Sequence, residues 1–462
     1  MLATYILIYL AITLAIGIFS SRYIRGSKDF ILAGRKLPLF MAASALFATW
    51  FGSETILGAS SEFVSHGFLG VIEDPFGAAL CLILVGAFFA RPLYRMGINT
   101  FGDFYRQQYG KRVERIAGLC LVLSYFGWIA AQLVALGIMG ELILGISVEA
   151  GILVGASIVL IYTVSGGLWA VAITDTIQTV MIVVGLVMIA ISLTQITDGF
   201  NAVIDHVPDH FYRFLPESNF NDILVYVAAW ITIGLGSIPQ QDVFQRVMAG
   251  KSEKVAVQSS YLGGIMYLTI GLLPLYIGLC AGYIDPAYAQ STDSESILPQ
   301  IVLSQTGLGI QVLFFGALIS AILSTTSGAI LAPATILSEN LIKPLYKAGI
   351  SDKKELLLVR ISIVAITVIA VFFAFRQGNI YDLVAASSSL SLVSLFIPLV
   401  AGIYFRKKSE FAAIISIVAG LLIWLITDQL ETNVPSLIWG LLASLVGWYV
   451  GIAIRPYITR SL

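Results

Sequence analysis

The feature that most limits the fold of this chain is a series of long apolar runs that recurs throughout its length. A helix needs about 20 mainly apolar residues to cross a hydrocarbon core of roughly 30 Å. We count thirteen such runs and call them spans one to thirteen. Their approximate limits are 3–20, 38–65, 68–90, 115–140, 148–165, 171–196, 223–245, 256–283, 309–338, 357–375, 380–405, 410–427 and 434–454. The sequence therefore predicts a polytopic membrane protein.

Composition agrees with this class and narrows it to helices. Hydrophobic residues make up 58% of the chain and charged residues only 11%, which is outside the usual range of soluble domains. Strands of membrane β-barrels are about ten residues long and alternate in polarity, whereas these runs are longer and continuously apolar. We predict an all-α fold of thirteen transmembrane helices in a lipid bilayer. We expect no nucleic-acid partner, and the formal net charge of −1 is uninformative about others.

The basic residues predict the orientation of the chain, because Lys and Arg concentrate in cytoplasmic loops. With the N-terminus outside, 24 of the 26 basic residues fall on the cytoplasmic side, and only Arg213 and Arg376 fall outside. The cytoplasmic group includes Arg25, Arg246, Lys347, Arg360, Arg455 and Arg460. We therefore expect a multi-pass protein of the cell membrane with an external N-terminus and a cytoplasmic C-terminus.

Two spans are interrupted by residues that weaken helices. Span two contains ATWFGSETILG, Ala48 to Gly58, and span seven contains IGLGSIPQQ, Ile233 to Gln241. The two segments are five spans apart, so the spans that carry them cross the membrane in opposite directions. This is the relation expected of an inverted repeat, in which paired helix breaks mark the binding site of a secondary transporter. Either break alone is equally well explained by the ordinary glycine and proline of membrane helices.

The spacing of the breaks predicts a division of the chain. Residues 1–36 form a leading helix and a cytoplasmic loop, and residues 37–405 form a five-plus-five transport core. Repeat one covers about 38–196 and repeat two about 223–405, while residues 406–462 supply two trailing helices.

Span nine carries small polar residues that suit a monovalent cation. Ala321, Ser324 and Thr325 lie within the stretch SAILSTTSG at positions that share one face of a helix. Packed against the break in span two, the two hydroxyls would meet the carbonyls freed at Ala48 and Phe51. Neutral oxygens at close quarters suit sodium. Hydroxyls in membrane helices also bond to their own backbone or to a neighbouring helix, and the spacing alone leaves both interpretations open.

Several stretches resemble the sodium/solute symporter family. They are ATWFGSETILG, YGKR at Tyr109 to Arg112, YTVSGGLWAVAITDTIQ at Tyr162 to Gln178, IPQQDVFQRV at Ile238 to Val247, and SAILSTTSGAIL at Ser320 to Leu331. The resemblance covers the core from span two to span nine. It implies the leucine-transporter-type inverted-repeat fold, with one leading and two trailing helices.

The resemblance also implies where sodium, the coupling ion, binds. The shared site of the family falls on the carbonyls of Ala48, Phe51 and Ala321 and the hydroxyls of Ser324 and Thr325. A second sodium in some members uses an aspartate that corresponds to Asp175 and two hydroxyl residues that correspond to Ser327 and Gly328. Gly328 lacks the hydroxyl. No basic residue is near Asp175 in sequence, so a cation, water or a position at the cytoplasmic end of span six must stabilise it.

Candidate solute contacts lie at the breaks and on the spans that face them. They are Trp50, Glu54, Thr55, Glu73, Asp74, Phe76, Trp128, Gln240 and Gln241. For the tryptophans the alternative is ordinary helix packing, and for Glu73 and Asp74 it is a wet outer vestibule. Glu54 is read either as a solute contact or as a hydrogen-bonded link between helices.

Within the family the chain is most similar to the choline-transporter-like branch, in which tryptophans surround a quaternary ammonium through cation–π attraction. Gln240 and Ala78 stand where that branch has aromatic residues. The resemblance therefore implies sodium-driven uptake of a small solute, with an amino acid, a betaine or another small amine as the leading expectation. The alternatives are a sugar, a carboxylate such as sialic acid or pantothenate, or a sensor that does not transport.

An enzyme is not expected, because the three histidines (His66, His206 and His210) lie in outer segments and no catalytic motif is evident. We expect the protein to function as a monomer.

Overall fold

The computed structural model describes residues 1–24, 26–285, 294–346, 350–376, 378–430 and 432–458. Three of the basic residues used to predict orientation, Arg25, Lys347 and Arg460, lie outside these ranges, as does the side chain of Arg455. The described part is helical throughout, and the pairing of Leu37 with Gly250 is an isolated bridge.

The long helices follow the predicted spans. They are Leu2–Ser20 in span one, Leu39–Trp50 and Ala59–His66 in span two, Ala78–Leu84 and Ala90–Met96 in span three, Lys111–Leu144 in span four, Val148–Ile196 in spans five and six, Phe220–Gly236 and Gln241–Ala249 in span seven, Glu253–Ile270 and Leu272–Ile284 in span eight, Leu308–Ile336 in span nine, Asp352–Ala374 in span ten, Ile380–Ser391 and Ile397–Tyr404 in span eleven, Glu410–Gln429 in span twelve and Ser436–Ile458 in span thirteen. Turns of π-helix at Glu54–Gly58, Ile72–Gly77, Val85–Phe89, Leu337–Ile342 and Leu392–Phe396 extend or join them.

Short helices connect the spans. They are Ser27–Leu32, Phe101–Tyr109, Phe200–His206 and Ser294–Gln305, with single 3₁₀ turns at Ser21–Tyr23, Ala33–Arg35, Gly67–Val71, Asp209–Tyr212 and Lys343–Leu345.

Both predicted breaks are present, and each is shorter than predicted. Span two loses helical geometry at Phe51 and regains it by Glu54. Span seven is interrupted between Gly236 and Gln241, and its two helices meet at an angle of 49°.

The number of crossings depends on how two long helical segments, Glu54–Met96 and Val148–Ile196, are divided. By length and apolar composition the described residues hold ten helices able to cross a membrane, or eleven when the bent span seven is counted as one. The helix Val148–Ile196 has 49 residues and is interrupted at Gly167, where φ is 48° and ψ is −148°. The count of thirteen and the limits of the two repeats therefore stay predictions.

Span nine lies at the centre of the molecule. Every residue from Phe314 to Ile336 is buried, and the helix packs against span two, span four and the helix of spans five and six. Small residues dominate this stretch and permit close approach of neighbouring helices. Spans one, twelve and thirteen leave most of their apolar surface on the outside, as expected of helices that face lipid. The break in span two is thus held against the most enclosed helix of the fold.

Candidate sodium and solute site

The break in span two frees a backbone carbonyl inside the protein. In a continuous helix the Gly52 N–H would bond to the Ala48 carbonyl, but here it donates to the Trp50 carbonyl at 2.8 Å. A side chain at Gly52 is excluded, because its Cβ would lie 2.5 Å from Glu54 Oε2 and 2.7 Å from Thr325 Oγ1. The glycine therefore permits both the tight turn and the close approach of span nine.

Hydroxyls of span nine take the place of the missing helical partner. Ser324 Oγ donates to the Ala48 carbonyl at 2.9 Å, and Thr325 Oγ1 lies 3.3 Å from the same oxygen. Ser324 Oγ is also 2.5 Å from Asp175 Oδ1, which links span six to the cluster. All four residues are buried, and Asp175 Oδ2 has no hydrogen-bond partner among the described residues. The fold thus gathers carbonyl, hydroxyl and carboxylate oxygens at one buried point.

This donor set fits a sodium ion. Hard cations prefer oxygen ligands, and the described residues contain no group of three His, Cys, Asp or Glu side chains that could hold a metal ion. Phe51 and Ala321 are buried, and the roles predicted for their carbonyls stay predictions. Asp175 was predicted at a second sodium site, but it contacts Ser324, a predicted ligand of the shared sodium site.

A small cavity lies directly beside the break. Its wall includes five of the predicted solute contacts, Trp50, Glu54, Asp74, Trp128 and Gln240, together with Ala78, Ile233, Ser237, Tyr267, Val384, Ser387 and Ser388. A sphere of the size of a water molecule can place its centre in about 20 Å³ of this space. That is room for about one water molecule, so side chains must move before an organic solute fits.

Carboxylates fix the two tryptophans of the cavity wall. Trp50 Nε1 donates to Asp242 Oδ2 at 2.7 Å, and Trp128 Nε1 donates to Glu54 Oε1 at 3.0 Å. The second oxygen of Glu54 accepts from Gln132 Nε2 at 2.7 Å. Both oxygens of Glu54 are thereby used within the protein, which favours its role as a link between helices. The indole rings are held in defined positions.

Asp74 differs from Glu54 because one of its oxygens remains available. Asp74 Oδ2 accepts from Thr55 Oγ1 at 2.8 Å and lies 3.0 Å from the Tyr267 hydroxyl. Asp74 Oδ1 has no partner among the described residues, although the side chain is only 1% exposed. A buried carboxylate oxygen without a partner is costly. It is therefore the strongest candidate in the wall for contact with a positively charged group.

Four predicted solute contacts are not brought to the cavity wall. Thr55 contacts Asp74 and the Tyr267 hydroxyl instead, and Phe76 packs against Phe68 and Phe214. Gln241 Oε1 accepts from the Phe101 backbone N–H at 2.8 Å, away from the cavity. Glu73 lies half-buried beside Thr232.

Several residues of the candidate site were not predicted from the sequence. Tyr267, Ser387 and Ser388 line the cavity, and Tyr125 hydrogen-bonds to the Asp242 carboxylate that holds Trp50. Asp242 could have been predicted from the sequence, because an ionisable residue in a membrane span is rare unless it has a function. The serines and tyrosines carried no comparable signal, because such residues are common in helices that only pack.

Arg246 is completely buried, which the sequence did not indicate. Its predicted place on the cytoplasmic side stays a prediction. Arg246 lies within electrostatic range of both Asp175 and Asp242, although it is distant from Asp175 in sequence. The second helix of span seven, Gln241–Ala249, thus places a guanidinium in the buried core.

Two broken helices, a buried cluster of oxygens and an adjoining cavity together define a secondary transporter of the inverted-repeat class. A solved structure described as the substrate-bound, outward-open state of a Na⁺-coupled sialic acid symporter has the same fold, with a TM-score of 0.85 over 99% of this chain and 98% of that one at 19% identity. The predicted fold class is thereby confirmed.

Sequence comparison identifies the family. A model of the Sodium:solute symporter family matches residues 30–420, and the chain belongs to this family. The high-affinity choline transporter 1 of Caenorhabditis elegans is 27% identical over 93% of this chain and 78% of its own length. The sodium/glucose cotransporter of Vibrio parahaemolyticus is 27% identical over 93% of this chain and 85% of its own length. The predicted family is confirmed, and these relatives are transporters rather than enzymes.

Proposed function

We propose that this protein is a sodium-coupled symporter that imports a small organic solute bearing a cationic amine. The observation that carries the proposal is the unpartnered Asp74 oxygen in the wall of a cavity that also presents Trp50, Trp128 and Tyr267. Among the described residues that line this cavity, two are acidic and none is basic. Carboxylate and aromatic faces both attract a cation.

The same break supports both ligands, which supplies the coupling. Ala48 offers its carbonyl to the hydroxyl cluster of span nine, and Trp50, two residues later, lines the cavity. A sodium ion held by Ala48, Ser324 and Thr325 would fix the end of this helix and with it the position of the indole. Each ligand then binds more tightly in the presence of the other, by an equal factor in both directions.

Transport follows from alternating access around this fixed site. Sodium and solute enter from outside, the occupied protein changes conformation, and low internal sodium favours release into the cytoplasm. We assign the N-terminus to the outside and the C-terminus to the cytoplasm from the distribution of basic residues. The site lies within one chain, so a monomer is sufficient for the cycle.

The other solute classes fit the cavity less well. A carboxylate such as sialic acid or pantothenate would face Asp74 and Glu54 with no basic side chain among the described lining residues to offset them. A sugar would find polar partners in Ser237, Gln240 and Ser388, but it would leave Asp74 Oδ1 without a counter-charge. A sensor would bind the solute without accumulating it in proteoliposomes.

Asp74→Asn tests the proposed solute class. Purified wild-type protein is screened for ligand-dependent thermal stabilisation with amines, zwitterions, sugars and carboxylates, each with and without sodium. We expect stabilisation by amine-bearing compounds in sodium, since a ligand at about 100 times its Kd contributes about 2.7 kcal/mol. In Asp74→Asn the affinity for these compounds should fall at least about tenfold, a loss of about 1.4 kcal/mol.

Asp382→Asn is the matched control, because Asp382 is an exposed acid at the outer end of span eleven and does not line the cavity. Its amine affinity should stay within about twofold of wild type. Stabilisation by a sugar or carboxylate that Asp74→Asn leaves unchanged would refute the proposed solute class.

A further inference from the structure

A second cavity, much larger than the solute cavity, lies where the end of span nine meets the start of span four. A sphere of the size of a water molecule can place its centre in about 580 Å³ of this cavity, against about 20 Å³ of the solute cavity. Three acidic and four basic side chains line it. A polar ligand of several non-hydrogen atoms therefore fits without movement of the wall.

One part of the wall carries two positive charges without partners. Lys111 and Arg115 are exposed and lie one turn apart at the start of the helix Lys111–Leu144, whose N-terminus has no side-chain cap. Neither forms an ion pair with a described residue, and Arg115 Nε contacts the Lys111 carbonyl at 3.4 Å. Like charges at positions i and i+4 repel, and the positive end of the helix dipole adds to the cost. An anion beside these two residues would offset both effects.

Negative charge is in excess around Glu339, in another part of the wall. Lys343 Nζ lies 2.8 Å from Glu339 Oε2 and 2.8 Å from Glu355 Oε2, so one ammonium serves two carboxylates. The other oxygen of Glu339 is buried and has no hydrogen-bond partner among the described residues. Such an oxygen is costly unless it accepts a hydrogen bond. A positively charged group with N–H donors is therefore its complementary partner.

The surface next to the cavity is apolar and faces outward. Leu119 and Leu123 follow Arg115 at intervals of four residues on span four, and they are 53% and 48% exposed. Leu345, in the cavity wall, is 71% exposed. Basic residues at a helix end, followed on the same face by exposed leucines, are typical of the boundary between lipid headgroups and hydrocarbon. A ligand held at Arg115 can therefore extend an apolar tail along these leucines.

We propose that this cavity binds the headgroup of a zwitterionic phospholipid with a primary amine, namely phosphatidylethanolamine. The phosphate accepts hydrogen bonds from Lys111 and Arg115, and the ammonium donates to the free oxygen of Glu339. The acyl chains lie along Leu119 and Leu123. Basic pockets between membrane helices are a known type of headgroup site. The proposal is independent of the transported solute, because no described residue lines both cavities.

Thermal stability of the purified full-length chain in detergent tests the headgroup, with no sodium or solute added. The probes are phosphatidylethanolamine, phosphatidylcholine and phosphatidylglycerol with the same acyl chains. Phosphatidylethanolamine should stabilise at a concentration at least about tenfold lower than phosphatidylcholine, because a trimethylammonium group has no N–H to donate. Equal effects of these two lipids, or a preference for phosphatidylglycerol, would overturn the proposal. Soluble glycerophosphoethanolamine should have no effect at the same concentrations, and stabilisation equal to that of the lipid would show that the ligand is not a membrane lipid.

Two variants test the two ends of the headgroup separately. Glu339→Gln should abolish the preference for phosphatidylethanolamine over phosphatidylcholine, whereas Arg115→Ala should weaken the binding of both lipids about tenfold. Lys254→Ala is the control, because Lys254 is an exposed base in the first turn of the helix Glu253–Ile270 and does not line the cavity. Its lipid affinities should stay within about twofold of wild type.

A Glu339→Gln protein that keeps the preference would refute the ammonium contact. Unchanged lipid affinities in Arg115→Ala would refute the phosphate contact. If either variant does not fold, the comparison of the three lipids with the wild-type chain still decides the proposal.

Discussion

At the scale of single residues, the candidate site depends on a backbone carbonyl that would accept a hydrogen bond within a continuous helix. Ala48 offers a carbonyl only because the Gly52 N–H turns to Trp50. Thr325 can approach that carbonyl only because Gly52 has no side chain. The proposed sodium site therefore depends on one glycine and on two hydroxyls of a facing helix.

Thr325→Val is the corresponding test, since valine keeps the volume and removes the hydroxyl. We expect sodium affinity to fall about tenfold or more, because a lost contact to a charged group costs roughly 1.5–3 kcal/mol. The measurement is the sodium dependence of uptake or of thermal stability.

Thr326→Val is its control. The Thr326 hydroxyl donates only to the Ile322 carbonyl of its own helix, so sodium affinity should change less than about twofold. Equal sodium affinities for the two variants would show that the Thr325 hydroxyl is not a ligand.

At the scale of helices, a polar network joins the end of span nine to the start of span four. Asn340, at the end of span nine, accepts from Thr100 Oγ1 at 2.8 Å and donates to Glu114 Oε1 at 2.9 Å. Arg106 pairs with Asp103 at 3.0 Å and lies 3.6 Å from Glu114. These contacts tie the short helix Phe101–Tyr109 to the start of span four and the end of span nine.

Gly102→Ala should weaken this junction. A Cβ at Gly102 would lie 2.2 Å from Asn340 Cγ, and overpacking of a close interior contact typically costs about 1–3 kcal/mol. We expect a lower apparent melting temperature in detergent and faster leakage of bound solute to the cytoplasmic side.

Gly309→Ala provides the comparison, because a Cβ there meets nothing within 4 Å. Alanine also favours a helix over glycine by about 1 kcal/mol or less, so stability should be unchanged or slightly higher. A Gly102→Ala protein as stable as Gly309→Ala would mean that the junction is loosely packed.

At the scale of the whole molecule, the fold holds the solute cavity nearly closed. The wall leaves space for about one water molecule. A solute must therefore separate side chains of the wall before it can bind. The energy for this cycle comes from the sodium gradient and the membrane potential.

The dependence of uptake on membrane potential counts the charges that move. One elementary charge is worth about 2.3 kcal/mol per 100 mV, so tenfold accumulation corresponds to about 60 mV per charge. One sodium with a solute of net charge +1 carries two charges, for which we predict that accumulation in proteoliposomes changes about 100-fold for each 60 mV. One sodium with a zwitterionic solute carries one charge, and accumulation then changes about tenfold. The potential is set with a potassium gradient and valinomycin. A change of only about tenfold would contradict a cationic solute with one sodium.

The sequence by itself determined the class of the protein and the location of its site along the chain. A long apolar run indicates a helix that crosses the membrane, because a helix forms all of its backbone hydrogen bonds within the segment. The breaks at Ala48 to Gly58 and Ile233 to Gln241 were equally local signals. The Ser324 and Thr325 pair followed from helical spacing, and the structure places both hydroxyls at the Ala48 carbonyl.

Only the tertiary structure decided which groups face one another. Asp242 holds the Trp50 indole from 192 positions away, and Asp175 contacts Ser324 from 149 positions away. The Arg246 guanidinium lies against Gly328 of span nine, 82 positions away. The physical reason is that a membrane helix is apolar around most of its surface, so its sequence gives little indication of which face turns inward. The rotation of each helix is set by packing against its neighbours.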